Sequence, residues 1–381
     1  MWPTKRLFSL RFGRVNATLV VAALWQSISF ASPTSPGADQ VSVSTLVDLP
    51  TPGAAVAIAW SPDGSALVAA SDYGSTLTIW DRSGKQLQQI KRHGGGPTLW
   101  GSIAFVNRSA QIIFPPPDDV DNQVALSVWG AESGTILRTV NGPEPQGDYP
   151  LNRGRFFMTS PDQVLLALAT GGNRATPSLR ANVIVYDTQT WATITSAKVL
   201  PGVSSLCVFA NGRRIAVGKG ISGAIAVLDP KTGANVSEVQ AYENSPFGTI
   251  SVDAIAGSPD GDLIFAGLGL IGSNGNVAAK QQSDWEQSLN SARMLRVQDG
   301  RVFASLDSPQ APIRQAKWDP KGRFVAFVDN AKGLFLWSPW TKDGAPKRVD
   351  LPSRSLALDF SLDGKLLAVA TDRGVRIFSI K

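Results

Sequence analysis

Short segments in which apolar and polar residues alternate recur along the chain from about residue 41 to its end. Three copies are clearest, and they begin at Val56, Ile313 and Ser355. In each copy an alternating segment is followed by an Asp-Gly or Lys-Gly turn, a second apolar segment, another turn and a third segment that ends in an aromatic residue. Alternation at period two, broken by Asp and Gly turns, predicts short antiparallel strands. Each unit is therefore predicted to be one small twisted sheet.

The turn after the first strand of each unit gives the number of units. Seven equivalent turn positions are separated by 42 to 61 residues, and they are Gly64, Ser109, Asp162, Gly212, Gly261, Gly322 and Gly364. A period of roughly 40–45 residues with four strands per unit is typical of propellers. The predicted fold class is all-β, a seven-bladed β-propeller of four-stranded antiparallel blades.

The last unit has only three predicted strands, whereas a spare strand precedes the first unit. Pairing the spare strand with the last one would complete the seventh blade and cover an open sheet edge. We therefore predict that the N-terminal strand closes the ring, with Val41 to Leu49 bonded to Val375 to Ile380.

Two sequence features of the units point to a known family. Aromatic residues end the predicted third strand of five units, and they are Trp80, Trp129, Tyr186, Trp337 and Phe378. Ser-Pro-Asp-Gly occurs at Ser61 to Gly64 and again at Ser258 to Gly261. In these features, and in the sevenfold spacing, residues 41–381 resemble the WD-repeat (WD40-type) β-propeller family, as an exported bacterial-type member.

The chain also departs from that family. Leu228 and Arg296 replace the third-strand aromatic in units 4 and 5, and the family's Gly-His pair is missing from six units. His93 alone stands near the expected place. The resemblance implies that His93 joins an aspartate of its unit, among Asp118, Asp119 and Asp121, in a structural hydrogen-bond network, and ligand binding or catalysis by His93 are the alternatives.

The first 40 residues have a different composition. Four basic residues, Lys5, Arg6, Arg11 and Arg14, precede the apolar segment from Ala17 to Trp25, and Ser29-Phe30-Ala31 follows as a small-x-small site. This is the layout of a secretory signal, and the apolar segment is shorter than the ~20 residues that span a bilayer. We predict a signal peptide at 1–31, a flexible lead at 32–40, a propeller at 41–381 and an exported, periplasmic or secreted protein without a membrane span in its mature chain. A basic disordered tail or a retained anchor is the alternative.

The positive charge of the chain belongs largely to this leader. The whole chain has 36 basic and 30 acidic residues, a formal net charge of +6. Removal of residues 1–31 takes away four basic residues, which leaves 32 basic and 30 acidic, or +2. The charge therefore disfavours nucleic acid as the main partner.

Candidate catalytic or metal-binding groups are few. One cysteine, Cys207, and one histidine exclude an intramolecular disulfide and a Cys/His zinc site. The side chains predicted to face the central channel are Ala59, Ala104, Met158, Val208, Ala256, Lys317 and Asp359. Five of these are apolar, which leaves no ring of acids for calcium. Lys317 and Asp359 lie in adjacent blades, where we predict a structural ion pair, with a binding site as the alternative. We expect no cofactor and no metal.

The longest connections are predicted to lie on one face. The loops between second and third strands are enlarged at 115–123, 171–182 and 267–293, and the blade-to-blade connections at 91–98, 141–153 and 240–249 are long. Both kinds of connection emerge at the same rim of a four-stranded meander, and insertions on one face of a repeat array commonly mark its binding face. We name this the insertion-rich face. Its predicted protein-binding residues, expected to be exposed, are Tyr149, Arg153, Arg174, Tyr242, Phe247 and Trp285.

These features favour a non-catalytic exported propeller that serves as a protein-binding or scaffold module. A small-molecule ligand remains open. The alternative function is a lactonase-like or other small-molecule hydrolase that uses the central pocket of the insertion-rich face.

Overall fold

The strands of the propeller follow the predicted order along the chain. The computed structural model describes residues 41–92, 102–108, 110–116, 124–142, 156–170, 181–200, 202–244, 246, 248–273, 281, 283–284, 286, 289, 291–307, 312–329, 331–340 and 344–381. Strand β1 (Val43–Leu49) precedes the first blade. Blade 1 contains β2 (Ala55–Trp60), β3 (Ala66–Ser71), β4 (Thr76–Asp81) and β5 (Gln86–Lys91). Blade 2 contains β6 (Ala104–Val106), β7 (Gln111–Phe114), β8 (Val124–Gly130) and β9 (Ile136–Asn141).

The next three blades repeat the same arrangement. Blade 3 contains β10 (Phe156–Thr159), β11 (Leu165–Thr170), β12 (Ala181–Asp187) and β13 (Thr193–Val199). Blade 4 contains β14 (Ser205–Val208), β15 (Ile215–Gly218), β16 (Ala224–Leu228) and β17 (Asn235–Gln240). Blade 5 contains β18 (Gly248–Gly257), β19 (Leu263–Ser273), β20 (Ala292–Arg296) and β21 (Val302–Leu306).

The last two blades complete the ring. Blade 6 contains β22 (Ile313–Trp318), β23 (Val325–Asp329), β24 (Gly333–Trp337) and β25 (Lys347–Asp350). Blade 7 contains β26 (Ser355–Phe360), β27 (Leu366–Thr371), β28 (Gly374–Ile380) and, as its outer strand, β1. The described residues thus form seven four-stranded antiparallel sheets, which confirms the predicted fold class.

The N-terminal strand closes the ring as predicted. Strand β1 pairs antiparallel with β28, in a register that runs from Val43 opposite Ile380 to Leu49 opposite Val375. Backbone bonds of 3.0 Å in both directions between Ser42 and Lys381 extend the pairing by one step. The edge of blade 7 that β28 would otherwise expose is therefore covered by β1, the first strand of the chain.

The Ser-x-Asp turn accounts for the sharp reversal between the first two strands of a blade. Ser61 donates through its hydroxyl to the Asp63 carboxylate at 2.6 Å and accepts from the Ala66 N–H at 2.8 Å. Gly64 has a φ of 68°, which a residue without a β-carbon adopts readily. The same Ser-to-Asp bond recurs in Ser160–Asp162, Ser258–Asp260 and Ser361–Asp363. These aspartates are turn residues, as expected.

Large apolar side chains fill the spaces between neighbouring blades. Trp60 packs with Leu366 of blade 7, and Trp318 packs with Phe265 of blade 5. The five predicted third-strand aromatics are all buried, and they are Trp80, Trp129, Tyr186, Trp337 and Phe378. Burial of such side chains supplies about 1.5–3 kcal/mol each, so the contacts between blades stabilise the ring as a unit.

Blade 5 differs from the expectation of a long loop at 267–293. Its first two strands have 10 and 11 residues, and Gly248 pairs with Ser273 at the end of the hairpin. Part of the predicted insertion is therefore strand. The described residues at 281, 283, 284 and 286 are helical. No helix among the described residues is long and apolar enough to cross a membrane.

Candidate functional site

The inner strands surround a cavity of about 520 Å³. All seven side chains that the sequence predicted to face the channel line this cavity, namely Ala59, Ala104, Met158, Val208, Ala256, Lys317 and Asp359. Several positions carry small side chains, which leaves the central space unfilled. Its volume is in the range of roughly 300–1,000 Å³ that is typical of ligand pockets.

Sheet pairing corrects one of these predicted positions. Ala59 of blade 1 lies opposite Val68, which is four residues after the turn glycine Gly64. In blade 4 the residue four positions after the turn glycine Gly212 is Ala216, and it lies opposite Cys207 and not Val208. Cys207 therefore occupies the channel position of blade 4, and Val208 borders the same cavity one residue later. The prediction was off by one because Phe209 replaces the turn serine that marks this position in blades 1, 3, 5 and 7.

Several channel side chains bond to the next blade. The Asp359 carboxylate of blade 7 accepts from the Trp60 N–H at 2.8 Å, and the Met158 sulfur of blade 3 accepts from the Val208 N–H at 3.4 Å. The Cys207 sulfur of blade 4 likewise accepts from the Gly257 N–H at 3.2 Å. These bonds satisfy backbone donors at the ends of inner strands, where the sheet offers no partner.

The charged pair of the channel has the predicted arrangement. Lys317 Nζ lies 3.4 Å from Asp359 Oδ1 across the boundary between blades 6 and 7. The other oxygen of Asp359 is occupied by the Trp60 N–H. Both oxygens of this carboxylate thus have partners within the protein.

Burial dominates the chemistry of the lone cysteine. Cys207 is buried, and desolvation raises the pKa of its thiol. The Gly257 N–H and the charge of Lys317 act in the opposite direction but do not offset burial. Because the thiolate is the nucleophile, this cysteine is held in its unreactive form near neutral pH.

The cavity lies toward the face that carries the Ser-x-Asp turns, which we name the turn face. Its rim includes Pro62, Pro161, Pro259 and Leu362, each directly after the serine of such a turn, and Pro320, which follows Asp319 in the corresponding turn of blade 6. A second cavity of about 60 Å³ lies further along the inner strands, lined in part by Asp253 and Arg314. Within the described residues, the larger pocket is thus beside the turns, whereas we expected a pocket beside the insertions.

Groups suited to metal binding are absent from the parts of the chain that the structure describes. No three His, Cys, Asp or Glu side chains of these parts come together in a way that could hold an ion. His93 and its three candidate aspartate partners lie outside the described residues.

Five of the six predicted protein-binding residues also lie outside the described residues, and they are Tyr149, Arg153, Arg174, Phe247 and Trp285. The sixth, Tyr242, is fully buried, so its predicted exposure was wrong. Its hydroxyl donates to the Ala266 carbonyl at 3.2 Å, and the Arg293 guanidinium lies 4.8 Å from its ring centre. Burial raises the pKa of the Tyr242 hydroxyl, which the nearby Arg293 lowers only in part.

A glycine explains why Tyr242 turns inward. The N–H groups of Ala241 and Tyr242 both donate to the Gly223 carbonyl at 3.0 Å, which folds this connection back onto blade 4. A β-carbon on Gly223 would lie 2.0 Å from the Tyr242 carbonyl oxygen. Only glycine allows this close approach. Because Gly223 lies 19 positions before Tyr242, the sequence around Tyr242 does not indicate that this side chain is buried.

The long hairpin of blade 5 had a signal in the sequence. Glycine alternates with leucine from Gly267 to Leu270, which continues the period of two past the usual end of the strand. A β-carbon at Gly269 would lie 2.3 Å from the Asp253 carboxyl carbon, so glycine leaves room for this carboxylate. Asp253 also accepts from the Ser251 hydroxyl at 2.8 Å.

Comparison with known proteins gives one match. Residues 45–81, which are 37 of the 381 residues, match the family described as WD domain, G-beta repeat. No curated protein matches the chain. The matched segment covers most of β1 and the first three strands of blade 1, and it contains the turn Ser61 to Gly64 and the pair Trp80-Asp81. The family match and the seven four-stranded blades together support the resemblance to WD40-type propellers.

Proposed function

We propose that this chain is an exported, non-catalytic propeller that binds a protein partner through its insertion-rich face. Propellers of the WD40 type are commonly protein-interaction scaffolds, and the family match and sevenfold architecture support this class. The basic residues and apolar segment of the first 31 residues support export to the periplasm or the cell exterior.

The observation that carries the choice of face is the hairpin of β18 and β19. These strands have 10 and 11 residues, whereas the first two strands of the other blades have between three and six. The extra length lies at the ends away from the Ser258–Gly261 turn, where Gly248 pairs with Ser273. The hairpin therefore projects on the side where we expect the other long connections, and it offers a rigid support for a binding loop.

The state of the channel supports a non-catalytic role. The channel carboxylate, Asp359, is engaged by Lys317 and by the Trp60 N–H. A general base needs a position from which it can reach a substrate proton, and a carboxylate held on both oxygens is poorly placed for that.

Capture of a partner tests this proposal. The mature chain from residue 32 is immobilised and exposed to extract of the exported compartment. A variant in which residues 274–290 are replaced by a short Gly-Ser linker retains all of β19 and β20. We expect the wild-type chain to enrich one specific protein and the shortened variant to lose it. Lys321→Ala, in the turn of blade 6, is the control and should capture as much as wild type.

Two results would contradict the proposal. One is equal capture by the wild-type chain and the shortened variant when both unfold at the same temperature. The other is loss of capture in the Lys321→Ala control with retention in the shortened variant, because that would place the partner on the turn face.

The alternative function is a lactonase-like or other small-molecule hydrolase. The cavity of about 520 Å³ favours it, because a volume in this range accommodates a small ligand. Hydrolysis of a panel of lactones and esters by the wild-type chain, abolished by Asp359→Asn, would support the hydrolase and contradict a non-catalytic role. We expect no turnover above that of the variant.

A further inference from the structure

A groove between blades 2 and 3 is lined by most of the described residues, other than glycine, whose backbone has a strained positive φ. Six described residues other than glycine have positive φ, and four of them line this groove: Asn107, Arg108, Gln163 and Trp191, with φ of 50°, 52°, 60° and 61°. The groove has a volume of about 660 Å³ and lies on the turn face. We name it the blade 2–3 groove.

Other blades place glycine where blade 3 has two of these residues. Gln163 stands at the turn position that is Gly64 in blade 1 and Gly261 in blade 5. Trp191 donates its N–H to Asp187 as Gly233 of blade 4 donates to Asp229, so Trp191 stands at a glycine position of the outer turn. An L residue is strained in this region and glycine is not, so both side chains are retained at a cost in stability.

Gln163 has a structural role that orders the groove. Its amide nitrogen donates to the Phe105 carbonyl at 2.6 Å, and its amide oxygen accepts from the Arg108 N–H at 3.2 Å. These bonds hold the turn of blade 2 against blade 3. Gln163 thereby fixes the backbone from which the Arg108 side chain extends.

Trp191 supplies an aromatic surface, and its side chain forms no hydrogen bond with the part of the chain that the structure describes. Part of its side chain packs on the cluster of blades 2 and 3 that contains Val128 and Tyr186, and the rest remains accessible. Leu137, which is 52% exposed, lines the same groove from β9. The groove therefore combines an aromatic and an aliphatic side chain that both meet solvent.

The groove is also positively charged. Arg108 and Arg138 line it, both are exposed, and neither side chain forms an ion pair or hydrogen bond with any residue that the structure describes. The acidic lining residue of the described chain is Asp162, whose Oδ1 accepts from the Ser160 hydroxyl and, at 3.1 Å, from the Val164 N–H. The Asp162 carboxylate thus forms its hydrogen bonds within its own turn.

We propose that the blade 2–3 groove binds an extended acidic segment of a partner protein. Its carboxylates would bond to Arg108 and Arg138, because the guanidinium fork matches the geometry of a carboxylate. An apolar side chain of the segment would pack on Trp191 and Leu137. This site lies on the turn face, and it does not depend on the partner proposed for the insertion-rich face.

Fluorescence anisotropy with the mature chain tests the charge requirement. The probe is a labelled peptide of glutamates around one leucine, and the matched probe has lysine in place of glutamate. We expect saturable binding of the glutamate peptide that weakens as salt is added. The double variant Arg108→Gln and Arg138→Gln should bind about tenfold more weakly or worse.

The matched control is Arg301→Gln, because Arg301 is an exposed arginine in the outer turn of blade 5 on the same face. It should change the affinity less than about twofold. Trp191→Gly should weaken binding while the protein stays folded, because glycine relieves the strain at this position.

Four results would overturn the proposal. These are no saturable binding of the glutamate peptide to wild type, equal binding of the lysine peptide, an equal loss in the Arg301→Gln control, and displacement of the peptide by an equal concentration of inorganic phosphate. The first three results would show that the groove does not select an acidic segment. The last would indicate a simple anion site.

Discussion

At the scale of single residues, the side chains of the channel connect neighbouring blades. Asp359, Met158 and Cys207 each accept a backbone N–H from the next blade. A buried N–H without a partner costs about 1–3 kcal/mol, so these side chains contribute to the stability of the ring although they border a cavity. A carboxylate and two sulfur atoms perform the same structural task, which is why no single residue type marks the position in the sequence.

Cys207 should be unreactive in the folded protein. Burial raises the pKa of its thiol, and thiol reagents attack the thiolate. We expect Ellman's reagent at pH 8 to label no thiol in the native chain and one thiol per chain in urea, because the sequence contains one cysteine. Rapid labelling of the native protein would contradict the buried position.

Tyr242 should behave as a core residue and not as a surface contact. Tyr242→Phe removes the bond to the Ala266 carbonyl and should cost about 1 kcal/mol, whereas Tyr242→Ala also leaves a cavity and should cost about 3–5 kcal/mol. Tyr73→Ala is the control, since Tyr73 is 76% exposed, and should change the free energy of unfolding by less than about 0.5 kcal/mol. Urea unfolding measures all three, and equal values for Tyr242→Ala and Tyr73→Ala would disprove the burial of Tyr242.

At the scale of elements, the closing strand has a specific ion pair. Arg376 of β28 donates two hydrogen bonds, of 2.6 and 2.7 Å, to Asp48 of β1, and the two residues are directly opposed in the sheet. This bidentate bond lowers the pKa of the Asp48 carboxyl, and burial offsets only part of the effect. The same bond raises the pKa of Arg376, so both partners agree in direction.

The contribution of this ion pair should disappear in acid. The pKa of Asp48 is lower in the folded than in the unfolded chain, where it is about 3.9, so the stabilisation is complete above that value and is lost as the pH falls through the folded pKa. Because the carboxylate is 61% exposed, we expect Asp48→Asn to cost about 0.5–1 kcal/mol at pH 7 and almost nothing near pH 2. Thermal unfolding of both proteins across this range measures the difference. A cost that stays constant with pH would contradict the assignment.

Removal of the closing strand should destabilise the whole ring. A chain that begins at Pro50 loses the buried side chains of Val41 and Leu49 and exposes the edge of β28, which we expect to lower the free energy of unfolding by at least about 3 kcal/mol and to promote association. The control chain begins at Val41. A synthetic peptide of residues 41–50 should restore the unfolding temperature of the shortened chain. Equal unfolding temperatures of the two truncated chains would contradict closure by β1.

The blades were predictable from the sequence because each is set by local signals. The turns that contain Asp63, Asp260 and Asp363 are fixed by bonds between residues two to five positions apart, and the turn glycines supply positive φ. The burial of Tyr242 depends on Gly223, and the channel position of Cys207 depends on its pairing with Ala216. Both the burial of Tyr242 and the position of Cys207 result from contacts between elements, and the periodicity within one strand does not indicate such contacts.

At the scale of the whole molecule, the two faces of the propeller have different properties. The turn face has the channel cavity of about 520 Å³, with short turns at its rim, and the blade 2–3 groove. The insertion-rich face has the long hairpin of β18 and β19. A ring held together by buried contacts between blades can present both faces at once, which suits a scaffold with more than one ligand.

The most direct test of the central claim is a footprint of the captured partner on the propeller. Hydroxyl-radical labelling of the mature chain, with and without the captured protein, reports which side chains become protected. We predict protection at the projecting end of the β18–β19 hairpin, including the partly exposed Leu268, and at the connections of the same face, with unchanged labelling of Pro62 and Leu362 in the turns. Protection of Pro62 and Leu362 without protection on the insertion-rich face would contradict the account.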